Sequence, residues 1–181
     1  MIASDAAAMQ SETLDRVETP CLVLDEDRMM RNIARLRAHL APHNVTLRPH
    51  LKTGKSIEVA RRLMDSPAGP ATVSTLKEAA QFAAAGVRDI IYAVGIAPDK
   101  LPRVLAMRAE GIDIAVILDT VTQAEAVAAA SREAGVAIPA LIEIDCDGHR
   151  SGVLPTDAER IVAIGRALVD GGELRGVLTH A

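Results

Sequence analysis

The chain has 181 residues, of which 49% are hydrophobic and 24% charged, and a net charge of −4. That length suits one domain at roughly 100–200 residues per domain, and the composition is that of a globular protein. Phe82 and Tyr92 are the only large aromatic residues, so the stacking platforms of single-strand nucleic-acid binders are missing, and the acidic balance gives no general attraction to phosphate backbones.

Residues 1–18, "MIASDAAAMQSETLDRVE", carry acidic side chains and no long apolar run. They read as a flexible lead-in rather than a signal peptide or a membrane span. After Pro20 a regular alternation begins. "CLVLD" reads as a short strand, and Asp25 or Asp27 as the cap of a helix with Met29, Met30, Ile33, Leu36 and Leu40 at helical spacing. "VTLRPHLK" reads as a strand and is followed by a helix through Ile57, Val59, Ala60 and Leu63. "ATVST" precedes the helix "LKEAAQFAAAG", which Gly86 would stop.

The same rhythm continues to the end. "DIIYAV" leads to a helix over 101–109, "IAVIL" to one over 122–134, and "IPALIEID" to one over 156–169, with "LRGVLTH" closing the sequence. Short apolar strands alternating with amphipathic helices indicate a parallel sheet. An open doubly wound sheet and a (β/α)8 barrel both produce this pattern. No GxGxxG follows the first strand and no GxxxxGK[ST] occurs, so the usual nucleotide-binding argument for the open sheet is missing. The barrel is the expected fold, with 19–181 as one partial barrel domain. Six strands from Val45 onward fall short of the eight a closed barrel needs, so a longer parent chain is expected.

Two stretches carry chemistry. "RPHLKTGK" holds Arg48, His50, Lys52 and Lys55 within eight residues. Strand alternation places Arg48, His50 and Lys52 on one face, expected to point into the barrel with Lys52 nearest the C-terminal mouth. Burial and neighbouring positive charge both lower a lysine's pKa, which suits Schiff-base chemistry; a solvated edge strand is the plainer alternative. Lys55 reads as a solvated residue at the start of the next helix. In "LIEIDCDGHRSG", Leu141, Glu143 and Asp145 alternate onto one face and a Gly-bracketed loop carries His149 and Arg150. An arginine on such a loop could fold back onto Glu143, or be a solvated turn residue. His180, Tyr92 and Thr75 stand at strand ends. Cys21 and Cys146 are isolated and lack CxxC spacing, which argues against a zinc site or disulfide framework and makes a reducing cytoplasm the expected compartment.

Taken together, "TPCLVLD", "RPHLKTGK", "STLKEA" and "EIDCDGHRSG" resemble the D-threonine aldolase and D-serine dehydratase group, which belongs to the alanine-racemase-like, fold type III pyridoxal-phosphate enzymes. The resemblance covers Thr19 to Ala181. It implies that Lys52 carries pyridoxal 5'-phosphate covalently; His50, on the same strand face, is expected to help lower the lysine's pKa and to contribute to cofactor binding. It also implies that Arg150 approaches the cofactor's phenolic oxygen and that His180 lies beside its ring. Some alanine racemases have a carbamylated lysine where this chain has Glu143, and that carboxylate orients the arginine; a Glu143–Arg150 pair is therefore expected.

The resemblance further implies a homodimer and a separate C-terminal β domain, absent from this chain, which would supply much of the phosphate cradle and a divalent-metal site. No metal ligand is expected in this chain. The implied substrate is a D-amino acid with a β-hydroxyl, and the implied activity is a lyase. Aldolase cleavage to glycine and an aldehyde is narrowly favoured over dehydration to an oxo acid and ammonia, a racemase is less favoured, and a non-catalytic pyridoxal-phosphate carrier is the rival from another class. No nucleic-acid or membrane partner is expected.

Overall fold

The structure is a computed structural model that describes residues 16–180. Most of the lead-in expected over 1–18, and Ala181, lie outside the described residues. The chain divides into two compact units, 1–39 and 40–181.

Helix α1 spans Glu26–Leu40, all but its last residue in the first unit. Asp25 Oδ1 accepts from the Arg28 amide at 2.8 Å, which satisfies one of the amide groups a helix start leaves unpaired and is typically worth about 1 kcal/mol. Glu26 and Asp27 in the first turn and Arg37 and His39 in the last both suit the helix dipole. The strand expected at Cys21–Asp25 does not form; no ladder partner pairs with it among the described residues.

The second unit runs α2 (Ile57–Leu63), β1 (Ala71–Val73), α3 (Leu76–Ala84), β2 (Asp89–Gly95), α4 (Leu101–Ala109), β3 (Asp113–Leu118), α5 (Val121–Ala134), β4 (Pro139–Ile144), α6 (Ala158–Val169) and β5 (Glu173–Thr179). All five strands are parallel, in spatial order β1-β2-β3-β4-β5. Each crossover therefore steps the same way. A doubly wound sheet reverses direction at a switch point, whereas a barrel does not, so the order is that of the expected barrel type.

The two faces of the sheet differ. Val73, Ile90, Tyr92, Ile114, Val116, Leu118 and Ile142 pack with Phe82, Val104, Val127, Ile164 and Leu168 of the helices in one buried core. The opposite face carries Thr72, Ile91 and Ala115 in register, then Ile117 beside Leu141, then Glu143 beside Leu178.

"VTLRPHLK" is not a full strand, which corrects both the expected element and the count of six. It touches β1 through one parallel bridge, His50 to Thr72. Thr72 N donates to Pro49 O and Leu51 N to Thr72 O, each at 2.9 Å. The ladder goes no further because Pro49 has no N–H to give and the chain turns at once, with Lys55 N donating to Leu51 O at 3.0 Å.

Candidate active site

The loops leaving the C-terminal ends of the strands are built by local chemistry. Thr75 and Glu78 form a capping box on α3, and Thr120 and Gln123 form one on α5. Ser56 and Asp157 cap α2 and α6 through their side chains. Each cap fixes where its helix begins and so where the preceding loop ends.

Lys52 lies in the turn after the His50 bridge rather than on a strand, and it is exposed. Among the described residues its amine has no hydrogen bond or ion pair. Its backbone N–H donates to His50 Nδ1 at 3.4 Å, which leaves Nε2 as the protonated nitrogen of the neutral ring. His50 is half-buried, and desolvation lowers its pKa, with Lys52 and His180 adding to the lowering and Glu78 opposing it. The ring is therefore held neutral at pH 7.

Parallel register places His50 in line with Thr72, Ile91 and Ala115, and it places Glu143 beside Leu178. His50 and Glu143 thus share the inner face of the sheet; His180, one residue past the end of β5, and Lys52, in the turn after the bridge, are both close enough to act on the His50 ring.

Glu143 is 5% exposed. Its Oε2 accepts from Ser151 Oγ at 2.9 Å. Arg150 is exposed and, among the described residues, forms no ion pair with Glu143; the expected Glu143–Arg150 pair is replaced by Glu143–Ser151. The reason lies in the loop. Asp145 N donates to Val153 O and Val153 N to Glu143 O, each at 2.9 Å, so the loop closes on its own stem. Gly152 N donates to Asp119 Oδ2 at 3.0 Å. This closure turns Ser151 inward and leaves the neighbouring Arg150 on the rim.

At the tip, Asp145 Oδ1 accepts from Gly148 N at 2.8 Å and Asp147 Oδ1 from His149 N at 3.0 Å. Both carboxylates are thus engaged in turns. Among the described residues no three His, Cys, Asp or Glu side chains gather as metal ligands. Cys146 Sγ accepts from Thr179 Oγ1 at 2.9 Å and donates to the His180 carbonyl at 3.8 Å, which ties this loop to the end of β5.

Three candidates leave the site. Thr75 is a helix cap. Tyr92 is 1% exposed in the helix-facing core, where its hydroxyl accepts from Lys100 Nζ at 2.9 Å. Arg48 reaches the other end of the sheet, holding Asp89 through two bonds of 2.7 and 2.8 Å. The sequence reading did not single out Ser151, Asp119 or Glu78. The Thr-x-x-Glu spacing of Thr75 and Glu78 was a legible signal for the last; a serine beside a loop arginine carries none.

The N-terminal end of the sheet is a second charged layer. Ala140 pairs with Leu174 but Leu141 with Gly176, which leaves Arg175 as an extra, bulged residue on β5. Arg175 donates to both oxygens of Asp113, each at 2.8 Å, and to Glu173 at 2.9 Å, while Arg108 reaches Asp113 at 2.7 Å. The Arg175 hydrogen bonds, helped by Arg108, hold the Asp113 carboxyl below the usual range. In barrels this end governs stability and the opposite end chemistry.

Comparison with known proteins identifies the family and the fold. Residues 24–181 match the family model "Alanine racemase, N-terminal domain". The chain is 53% identical over 171 residues to a D-threo-3-hydroxyaspartate dehydratase from Delftia sp. (strain HT23), covering 94% of this chain and 45% of that protein. It is 35% identical over 153 residues to a D-threonine aldolase from Arthrobacter sp, covering 84% and 40%. The solved structure of the Delftia sp. HT23 dehydratase superposes with a TM-score of 0.88 at 52% identity, over 91% of this chain and 44% of that one. The chain thus spans less than half the length of these relatives.

Proposed function

Because this chain belongs to the alanine racemase N-terminal domain family, we propose that it carries the cofactor lysine of a pyridoxal-phosphate-dependent lyase acting on D-3-hydroxy amino acids, with Lys52 as that lysine. The supporting observation is the exposed Lys52 amine, which has no ion-pair partner among the described residues, in the turn directly after half-buried His50, whose face of the sheet also carries buried Glu143. The family relatives named above act on 3-hydroxy amino acids, one as a dehydratase and one as an aldolase. The higher identity to the dehydratase moves our reading from the narrowly favoured aldolase to dehydration, with D-threo-3-hydroxyaspartate as the first substrate to try.

The residues present fit the cofactor. A lysine amine without an ion-pair partner among the described residues is available for covalent attachment, and it follows closely on a half-buried imidazole whose pKa burial lowers. When bound, pyridoxal phosphate supplies an electron sink for the pair left at the substrate's Cα. Lys52 would hold the cofactor, and its amine would be the base that takes the substrate's Cα proton. The β-hydroxyl would leave as water with the proton Lys52 took from Cα, and addition of one water to the resulting unsaturated amine would give a 2-oxo acid and ammonia. His50 offers Nε2–H as a hydrogen-bond donor on the inner face. Ser151 keeps the Glu143 carboxylate in place, and Arg150, on the loop closed by Gly152 and Val153, places a cation on the rim for an anionic oxygen of cofactor or substrate. The described residues do not fit a metal site, and no step here runs through one.

Borohydride reduction of the protein loaded with pyridoxal phosphate, followed by peptide mapping, tests the reading. A phosphopyridoxyl group on Lys52 supports it, and an unlabelled Lys52 overturns it. Product analysis with D-threo-3-hydroxyaspartate separates the reactions: a 2-oxo acid with ammonia marks dehydration, and glycine with an aldehyde marks the aldolase.

A further inference from the structure

The two capping boxes at the rim differ in one atom, and the difference has a use. On α5, Gln123 Oε1 accepts from Asp119 N at 3.1 Å and Thr120 N at 3.2 Å, and Gln123 Nε2 donates to Ile96 O at 3.0 Å. A neutral amide therefore suffices to build this cap. On α3 the same place holds a carboxylate: Glu78 Oε2 accepts from Ser74 N at 2.9 Å and Thr75 N at 3.2 Å. Glu78 is only 7% exposed, and a buried carboxylate is costly unless it is paired. Its second oxygen faces Lys55 Nζ at 3.7 Å.

Lys55 closes the turn that carries Lys52. Its N–H donates to Leu51 O at 3.0 Å, and the Leu51 N–H donates to Thr72 O at 2.9 Å. The turn is thus anchored on β1 at its first residue and reaches α3 at its last. The Lys55 backbone has φ +44°, in the left-handed region that lysine rarely adopts, so this conformation needs outside support. The Glu78 charge also reaches the inner face, where it acts on His50 against the effects of burial and Lys52.

We propose that Glu78 is a positioning residue for Lys52, acting through its ion pair with Lys55 to hold the turn between them at the rim. This inference rests on Lys52 being the cofactor lysine. Glu78→Gln keeps the cap, as Gln123 does on α5, and removes only the charge; Lys55→Met removes the cation; Lys55→Arg is the conservative variant.

The experiment has two readouts on the protein: the rate of borohydride-trapped labelling of Lys52 after adding pyridoxal phosphate, and amide exchange at Lys55 and Glu78 without cofactor. Glu78→Gln and Lys55→Met are each expected to slow labelling about two- to fivefold, the size of one half-exposed ion pair. The double variant is expected to be no slower than either, and Lys55→Arg to return to within about twofold of the parent. Exchange at Lys55 rises in Glu78→Gln while the Glu78-position amide stays protected. Unchanged labelling and Lys55 exchange overturn the proposal. So does slow labelling accompanied by lost protection at position 78, which would make Glu78 a helix cap only. If Lys52 of the parent protein takes no label, the proposed function fails, and the exchange measurement still decides whether Glu78 holds the turn.

Discussion

Ser151 Oγ donates to Glu143 Oε2 over 2.9 Å, and the carboxylate it holds lies on the inner face of the sheet in line with Leu178. Ser151 is exposed while Glu143 is buried, so the contact joins the loop bearing Arg150 to the floor beneath it.

Ser151→Ala removes that donor and leaves a buried carboxylate with one partner fewer. The expected cost is about 1–2 kcal/mol of stability, read as a lower midpoint in denaturant with an unchanged slope. An unchanged midpoint would show that water replaces the hydroxyl.

Gly152→Ala is expected to be the more damaging neighbour. Gly152 has φ +124°, and a Cβ there would stand 2.6 Å from Asp145 N and 2.8 Å from Ile144 C, both backbone atoms that cannot swing aside. A loss of about 2–4 kcal/mol is expected, with weakened cofactor retention because the loop stem must shift. Full stability in this variant would contradict the close approach.

The Asp113–Arg175 pair predicts a pH effect. Hydrogen bonds from Arg175 hold the Asp113 carboxyl below its ordinary value in the folded chain. The unfolded chain therefore binds the proton more readily, and the pair's stabilisation is present above the ordinary carboxylate pKa of about 3.9 and is lost as pH falls through the folded value. Asp113 is part-exposed, so its contribution is about 1 kcal/mol or less. Stability against pH for Asp113→Asn and the parent should converge below about pH 3 and separate above about pH 5.

His50 gives a second window at higher pH. Its pKa is lowered by burial, so the unfolded chain protonates first, from about pH 6.5 downward. The stabilisation due to neutral His50 is present above that value and is lost as pH falls through the folded one. Relative to His50→Gln, the parent should lose stability as pH falls below about 6.5, and parallel pH dependences of the two would show that burial does not lower the His50 pKa.

How much of this was readable depends on which partners a feature needs. The β/α rhythm was legible because periodicity and caps are local: the helix expected over 101–109 is α4 with those bounds, and Thr75–Glu78 announces the start of α3. "VTLRPHLK" looked like a strand because its residues alternate, yet a strand also needs a neighbour to pair with, and β1 offers it only Thr72. Lys52 therefore sits in a turn, where a tether at Lys55 matters more than alternation.

The sequence by itself determined the alternating α/β architecture, the caps and the density of charge around Lys52, since each depends on residues a few positions apart. Only the tertiary structure decided which charge meets which. Arg48 finds Asp89 at the far end of the sheet, 41 residues on. Arg175 reaches Asp113, 62 residues back, and Glu143 takes Ser151 instead of the adjacent Arg150. The physical reason is that strand register and loop closure set these distances, and both are fixed by backbone hydrogen bonds between segments remote in the chain.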